Sequence, residues 1–408
     1  MGSSDKDDLA QIVRKSLDQL LAWFKDAPEI TPDPFDIKAH PWFAGKLATR
    51  DRLFSRLMLK AGYVPVALFP KQTRRLLRIR PQQTAGATAW LAQGYLELFG
   101  LTNDKDHLQT AELWLKRLLD TRIPTYEKYC WGLPFDWPSS ATWIPANSPL
   151  LYTTWHAAQA FIDHFEVTNR RESLEIAVSA LQCLLATLNK TIDEPRYFSL
   201  SYSPHDRSQV YNTNALAGGL LCKVGLLVNE PDLLNCGQRM LNWVADGQEP
   251  TGSWDYSSPA HSQQESTVDH YHTAMTLQGL LTGSDSLGQK RWVESLERGL
   301  RFYFNQLFDR HGRPKFTPDS TFPIDVMSVA EGLILLSRVQ SCRTPLSASL
   351  LREALNRRRE LVNWACRNLQ SSAGAFYWRL YPGLRIRLFS YRWGQGAMLK
   401  ALACCLDR

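Results

Sequence analysis

Asp269, His270 and His272 crowd the stretch "STVDHYHT", directly ahead of the apolar run "AMTLQGLL". An aspartate before such a run is a preferred helix N-cap. The same carboxylate at a pocket edge could act as acid, base or acceptor for a sugar hydroxyl. The two histidines are two positions apart, which on a helix turns them about 200° from one another. They therefore cannot share a metal there, and no Cys, Asp and Glu set nearby completes a site. His272 fits a neutral donor or general base, and His270 a peripheral place.

Three loops interleave aromatic rings with carboxylates: "WGLPFDWPSS", "SYSPHDRSQVYNTN" and "GSWDYSS". Sugar rings stack their flat C–H faces on Trp and Tyr, while carboxylates, amides and guanidinium groups bond their hydroxyls. Trp131, Trp137, Tyr202, Trp254 and Tyr256, beside Asp136, Asp206, Arg207 and Asp255, form such a set. The competing reading is that the rings seal the ends of the fold and the aspartates build turns. Tyr211 and Tyr391 each precede an apolar helical run, and Arg392 and Trp393 follow the second. A tyrosine beside an arginine can have a lowered pKa and pass a proton, while the arginine forks onto a carboxylate. A plain packing role at a seam is the alternative.

These residues are placed by a repeat. Six apolar, Ala- and Gly-rich runs recur roughly 60 residues apart. They are "ATAWLAQGYLELFG", "LLYTTWHAAQAFIDHF", "NTNALAGGLLCKVGLLV", "DHYHTAMTLQGLL", "DVMSVAEGLILLSRV" and "YRWGQGAMLKALACCL". Runs with a clear polar face alternate with them, for example "DHLQTAELWLKRLLD" and "KRWVESLERGLRFYFNQLF". Evenly apolar helices should be buried on both sides and amphipathic ones should face water. The expected fold is all-α: an (α/α)6 toroid, with short β-hairpin loops at the pocket mouth. The sixth pair lacks a downstream outer helix, which Asp8–Phe24 or Thr49–Ala61 could supply. Residues 1–45 are expected as an N-terminal helix and lead-in, and 46–408 as the toroid. In such a ring the inner helices all begin at one mouth, so Tyr152, Asn212, Asn214, Asp269, His272, Asp325 and Arg392 should converge. Helix starts add unpaired N–H groups that favour anions.

Composition narrows the class. The chain has 408 residues, 44% of them hydrophobic, with 14 tryptophans and a net charge of +7. No run reaches the ~18 apolar residues of a membrane span, and no secretory h-region opens the chain. The 8 cysteines include no Cys-x-x-Cys pair and several lie in apolar runs, so reduced thiols and a cytoplasmic location are expected, with the inner-membrane surface as a further address. The run "KQTRRLLRIRPQQ" could meet phosphate, lipid head groups or an acidic glycan, or simply be solvated. No P-loop, dinucleotide fingerprint, Gly-x-Ser-x-Gly elbow or His-Glu-x-x-His occurs.

Several of these motifs resemble a bacterial family of helical-toroid proteins associated with polysaccharide biosynthesis, the VpsJ-like exopolysaccharide proteins among them. The resemblance rests on "CWGLPFDW", "FSLSYSPHDRSQVYNTNALAGGLL", "TVDHYHTAMTLQGLL", "FPIDVMSVAEGLILL" and "YRWGQGAMLKAL" and covers roughly residues 45 to 406. The family reads closer to "IDNFHT" where this chain has "VDHYHT", so His270 replaces an amide while Asp269 and His272 match. In layout alone the chain is also similar to glucuronyl C5-epimerases. The resemblance implies glycan metabolism, and the expected function is an enzyme acting on a polysaccharide or lipid-linked glycan during envelope or exopolysaccharide assembly. The expected chemistry is C5 epimerisation or elimination on a uronate. Arg392 would hold the carboxylate, Tyr211 and Tyr391 or His272 would exchange the proton, and Asp269 and Asn214 would orient hydroxyls. Hydrolysis by two of the aspartates and non-catalytic glycan binding are the alternatives. The expected partners are a polysaccharide or glycolipid and other assembly proteins, with no nucleic acid, metal or organic cofactor.

Overall fold

A computed structural model describes residues 3–41, 64–66, 68–138, 142–258, 267–288 and 290–406. Six helices line the inside: α3 (Ala85–Thr102), α5 (Leu151–Thr168), α7 (Tyr211–Leu227), α9 (His270–Leu287), α11 (Val326–Ser341) and α13 (Gly396–Cys404). Each packs on the next, and α13 packs back on α3, so the inner ring is closed. The first five lead into outer helices α4 (Lys105–Asp120), α6 (Arg171–Thr187), α8 (Pro231–Asp246), α10 (Val293–Gln306) and α12 (Ala348–Asn368). The sixth outer place is taken by α1 (Ser3–Asp26), which packs on α12 and α13. Ser16 and Gln370 fasten that seam by two hydrogen bonds, Oγ to Oε1 at 2.7 Å and Nε2 to the Ser16 carbonyl at 2.8 Å. The other candidate for this role, Thr49–Ala61, lies outside the described residues, as does the boundary drawn at residue 45.

The small residues of the inner runs permit this packing. A Cβ on Gly219 would meet the Gly279 carbonyl oxygen at 2.4 Å, and one on Gly279 would meet Ala215 backbone at 2.2 Å. The backbones of α7 and α9 therefore touch, which only glycine allows. Because each outer helix carries the chain back, every inner helix starts on the same side. Short antiparallel pairs sit in the returning loops: β1 (Trp137–Pro138) with β2 (Trp143–Ile144), β3 (Lys190–Asp193) with β4 (Phe198–Leu200), and β5 (Ile324–Asp325) with β6 (Arg379–Tyr381) and β7 (Leu384–Ile386).

The sixth inner run differs from the periodic expectation. Residues Tyr391–Gln395 form a π-type turn, and α13 starts only at Gly396. Gly394 holds φ 151°, closed to side chains, and the Ser390 hydroxyl accepts from the Trp393 N–H at 3.3 Å. Tyr391 and Arg392 thus stand on a turn before the helix. A short 3-10 turn, Asp36–Ala39, and α2 (Pro70–Leu76) complete the described elements. None of the eight cysteines is in a disulfide.

Candidate active site at the toroid mouth

Asp269 terminates the loop into α9 with one carboxylate doing two things. Its Oδ1 accepts the His272 backbone N–H at 2.8 Å, which caps the helix. Its Oδ2 lies 2.6 Å from His272 Nδ1. Burial alone pushes the Asp269 carboxyl up, but the His272 ring and its hydrogen bonds together hold it below the usual aspartate value. With Nδ1 donating to Asp269, the neutral imidazole carries its lone pair on Nε2. That nitrogen has no partner among the described residues. Tyr256 and Tyr271 meet the imidazole edge-on, at ring separations of 4.7 and 4.9 Å.

Tyrosines and one acid extend the site inward. The Tyr271 hydroxyl, from the first turn of α9, donates to the Tyr152 hydroxyl on α5 at 3.4 Å. Burial above all, with Glu331 among the smaller causes for each, holds both phenols protonated well above the usual range. Glu331 lies in the second turn of α11, where Gln278 Nε2 donates to its Oε2 at 2.7 Å. Burial raises its carboxyl to about 7 against the pull of Gln278, Lys400, Arg338 and His272. At similar depth on the other side, His156 Nε2 lies 3.1 Å from Gln93 Oε1. Gln93 Nε2, His156 Nδ1, Asn212 Oδ1 and Trp393 Nε1 are buried without a partner among the described residues. Buried polar atoms of this kind are met by water or ligand.

The rim is built from the lead-in. Asp33 binds Arg392 through both carboxylate oxygens. Lys38 places its Nζ 3.9 Å above the Trp137 ring and 5.1 Å from Phe35, whose ring also meets Trp393 at 4.9 Å. Burial, with Arg392 adding repulsion, lowers the Lys38 amine to about 8.

Of the expected site residues, Asp269, His272, Tyr256, Trp393, Arg392, Tyr202 and Trp137 gather around this mouth. Tyr202 lies near Arg392, and burial raises its phenol to about 12. Others turn away. Tyr211 stacks on Trp243 of α8 at 4.5 Å, and its hydroxyl lies where a Cβ on Gly247 would meet it at 2.5 Å. Tyr391 donates to the Pro28 carbonyl at 2.8 Å among Trp23, Phe24 and Trp114. Burial raises both phenols, Tyr391 to about 12, which corrects the lowered pKa expected beside an arginine. The cause is that Arg392 points inward, onto Asp33, while Tyr391 points to the outer helices.

The remaining residues hold the frame. Trp131 and Trp254 donate their indole N–H to the carbonyls of Leu118 and Val244, at 2.8 and 2.7 Å. Asn214 bonds the backbone of Leu200 and Val210, joining β4 to α7. Asn212 Nδ2 lies 3.7 Å from Met275 Sδ. Asp136 accepts from Ala146 N–H, and Asp206 from the Tyr202, Ser203 and Ser208 amides. Asp325 caps α11 and pairs with Arg379 at 2.7 Å. Arg207 is exposed near the Lys190 carbonyl, and Asp255 lies within electrostatic reach of Tyr211. His270 is buried rather than peripheral, with Nδ1 2.9 Å from the Leu307 carbonyl oxygen and Nε2 2.6 Å from the Tyr303 hydroxyl.

Sequence reasoning missed Asp33, Lys38, Tyr271, Gln278 and Glu331. A signal existed for Glu331, the one charge between Asp325 and Arg338 in an apolar run. Asp33 and Lys38 carried none.

The sequence matches no protein-family profile and no curated protein. Solved structures do match. A cellobiose 2-epimerase from Spirochaeta thermophila is similar over 80% of this chain and 88% of its own, at 12% identity and TM-score 0.61. The GH76A α-1,6-mannanase from Salegentibacter sp. matches over 80% and 91%, at 11% identity and TM-score 0.61. A D-mannose isomerase matches over 79% and 86%, at 10% identity and TM-score 0.60. The fold is an (α/α)6 toroid. At such identities the likeness is one of fold, and the chemistry of this toroid rests on its own residues.

Proposed function

We propose that the chain is a carbohydrate-active enzyme that epimerises a sugar by moving a proton on a carbon beside a carbonyl or carboxylate. One observation carries the reading: Asp269 orients His272 through a 2.6 Å contact and leaves Nε2, without a partner among the described residues, as a base at the mouth. Removing such a proton develops negative charge on the adjacent oxygen, which neutral donors in a buried site stabilise. The Tyr152 and Tyr271 hydroxyls, kept protonated by burial, are suited to that task. A proton delivered to the opposite face by a second acid inverts the centre, and His272 then loses the proton it took to water. The epimerase and the isomerase among the similar structures support this direction.

In the finer version the substrate is a uronate-containing glycan and the proton leaves C5, with elimination as the competing outcome. Asp33 already occupies the Arg392 fork, so a substrate carboxylate would be met by the Lys38 amine at the Trp137 face. Envelope or exopolysaccharide assembly is the setting that the sequence resemblance suggests, and the cysteine usage suggests the cytoplasm. Hydrolysis is the second reading, favoured by the mannanase fold match. The hydrogen bonds and ion pairs that engage Asp136, Asp206, Asp269 and Asp325 give it less support.

The test is incubation with reducing disaccharides and with hexuronate oligosaccharides in heavy water, followed by NMR. Loss of one C–H signal without chain shortening is expected, and His272→Ala should abolish it. Chain shortening without exchange would replace this reading with hydrolysis. Binding without any product would leave a non-catalytic glycan-binding protein.

A further inference from the structure

One element of the molecule has two faces that a soluble loop would not need. On its inner side, α2 is fixed to the lead-in: Arg74 is buried and bonds Asp36 through Nε at 3.0 Å and Nη2 at 2.8 Å, and Val66 packs on Ile37. On its outer side, Phe69 is 57% exposed and Leu76 82% exposed. Around them stand Lys71, Arg75, Arg78 and Arg80, all exposed and none in an ion pair among the described residues. The sequence from 64 to 83 contains no Asp or Glu.

We propose that α2 and its flanks are a docking surface for an anionic lipid bilayer. Charge alone would suit any polyanion, including RNA or an acidic glycan. The exposed Leu76 favours the bilayer among them: a base or a sugar face can stack on the Phe69 ring, but neither covers an aliphatic side chain that is 82% exposed. A bilayer interface accepts both kinds of group, with apolar tips below the head groups and cations among them. The rigid inner face fits the same role, since Arg74 ties the element to the rim. Its Nη2 also donates to the Asp33 carbonyl, and the Asp33 carboxylate holds Arg392 at the mouth. Docking through α2 would therefore present the toroid mouth beside the membrane, where a lipid-linked glycan would be within reach.

The test uses the full chain and flotation with vesicles, so it needs no sugar and no turnover. Binding is expected to vesicles of mixed phosphatidylglycerol and phosphatidylcholine, and not to pure phosphatidylcholine. Arg75→Glu together with Arg80→Glu should weaken it by well over tenfold, at about fivefold for each cation removed. Leu76→Ser should weaken it several-fold at unchanged charge. All these side chains are exposed, so circular dichroism and melting temperature should match the wild type. The proposal is overturned if phosphatidylglycerol vesicles do not bind, or if neutral vesicles bind equally well. It is also overturned if Leu76→Ser binds like the wild type while heparin or RNA binds as tightly as the vesicles, which would make this a polyanion site.

Discussion

The Asp33 carboxylate grips the Arg392 guanidinium by two parallel hydrogen bonds, Nε to Oδ2 and Nη2 to Oδ1 at 2.8 Å, across 359 positions of chain. Asp33 is buried and the Arg392 side chain is 12% exposed, and the Arg392 stem lies against Gly86 at the start of α3, where a Cβ would meet its Cγ at 3.1 Å. Three distant segments thus meet at one ion pair. Breaking a buried pair on one side leaves an uncompensated charge, which costs about 3–5 kcal/mol. Asp33→Ala should lower the urea-unfolding free energy by that amount. Replacing both partners, Asp33→Leu with Arg392→Met, should recover most of it. Equal losses in the single and double variants would mean that packing, and not charge, is what Asp33 supplies.

Asp269 allows its two tasks to be separated. Asn is as good an N-cap as Asp, so Asp269→Asn should leave stability within a few tenths of a kcal/mol, whereas Asp269→Ala should cost about 1 kcal/mol. Proton exchange should behave differently. Both variants remove the charge that orients His272, so turnover should fall about a hundredfold or more in each. If Asp269→Asn keeps full activity, the aspartate is a cap and nothing else.

The sequence made the ring legible because helix periodicity and small-residue content are local properties that tertiary packing reinforces. The runs from Leu150, Asn212, Asp269 and Asp325 each begin within one residue of an observed inner helix. Their convergence at a mouth followed from connectivity. What did not follow was direction. Tyr211 and Arg392 both stand at the mouth by sequence, yet one ring turns outward to Trp243 and the other side chain turns inward to Asp33. Side-chain direction at a helix start depends on the backbone of the turn before it, and the π-type turn at Tyr391–Gln395 left no periodic trace. The Asp33–Arg392 pair was invisible because a contact between distant segments leaves no spacing to read. Loop aspartates such as Asp206 looked like sugar ligands because the same short side chain that accepts a hydroxyl also closes turns.

The tyrosines give a spectroscopic test of who moves the proton. Burial raises the phenols of Tyr202 and Tyr391 to about 12, so the tyrosinate absorbance missing from Tyr202→Phe and Tyr391→Phe in difference titrations should belong to groups that ionise above the ordinary phenol range. Tyr211→Phe and Tyr391→Phe should keep their exchange activity. Tyr391→Phe should lose only the bond to Pro28, about 1 kcal/mol of stability. A phenol that ionises near neutral pH, or an inactive Tyr391→Phe that is still folded, would return the proton transfer to a tyrosine.

Glu331 should impose a pH dependence on stability whose sign is fixed by its burial. Its carboxyl is raised from the ordinary 4.5 to about 7, so the native chain keeps a proton that the unfolded chain has already released. Between those values stability must fall as pH rises, and it levels off once the folded-state group has ionised. At about 1.4 kcal/mol for each tenfold change in proton affinity, the loss over the window is roughly 3 kcal/mol. Glu331→Gln keeps the shape of the side chain and its contact with Gln278 but cannot ionise. The variant should therefore gain on the wild type from about pH 5 to about pH 8 in paired urea titrations, with the difference growing upward through the window. A difference that stays flat across it would mean that Glu331 is already ionised in the native protein. The inner wall beneath His272 would then carry a fixed negative charge, opposing the build-up of negative charge that proton removal from a sugar requires.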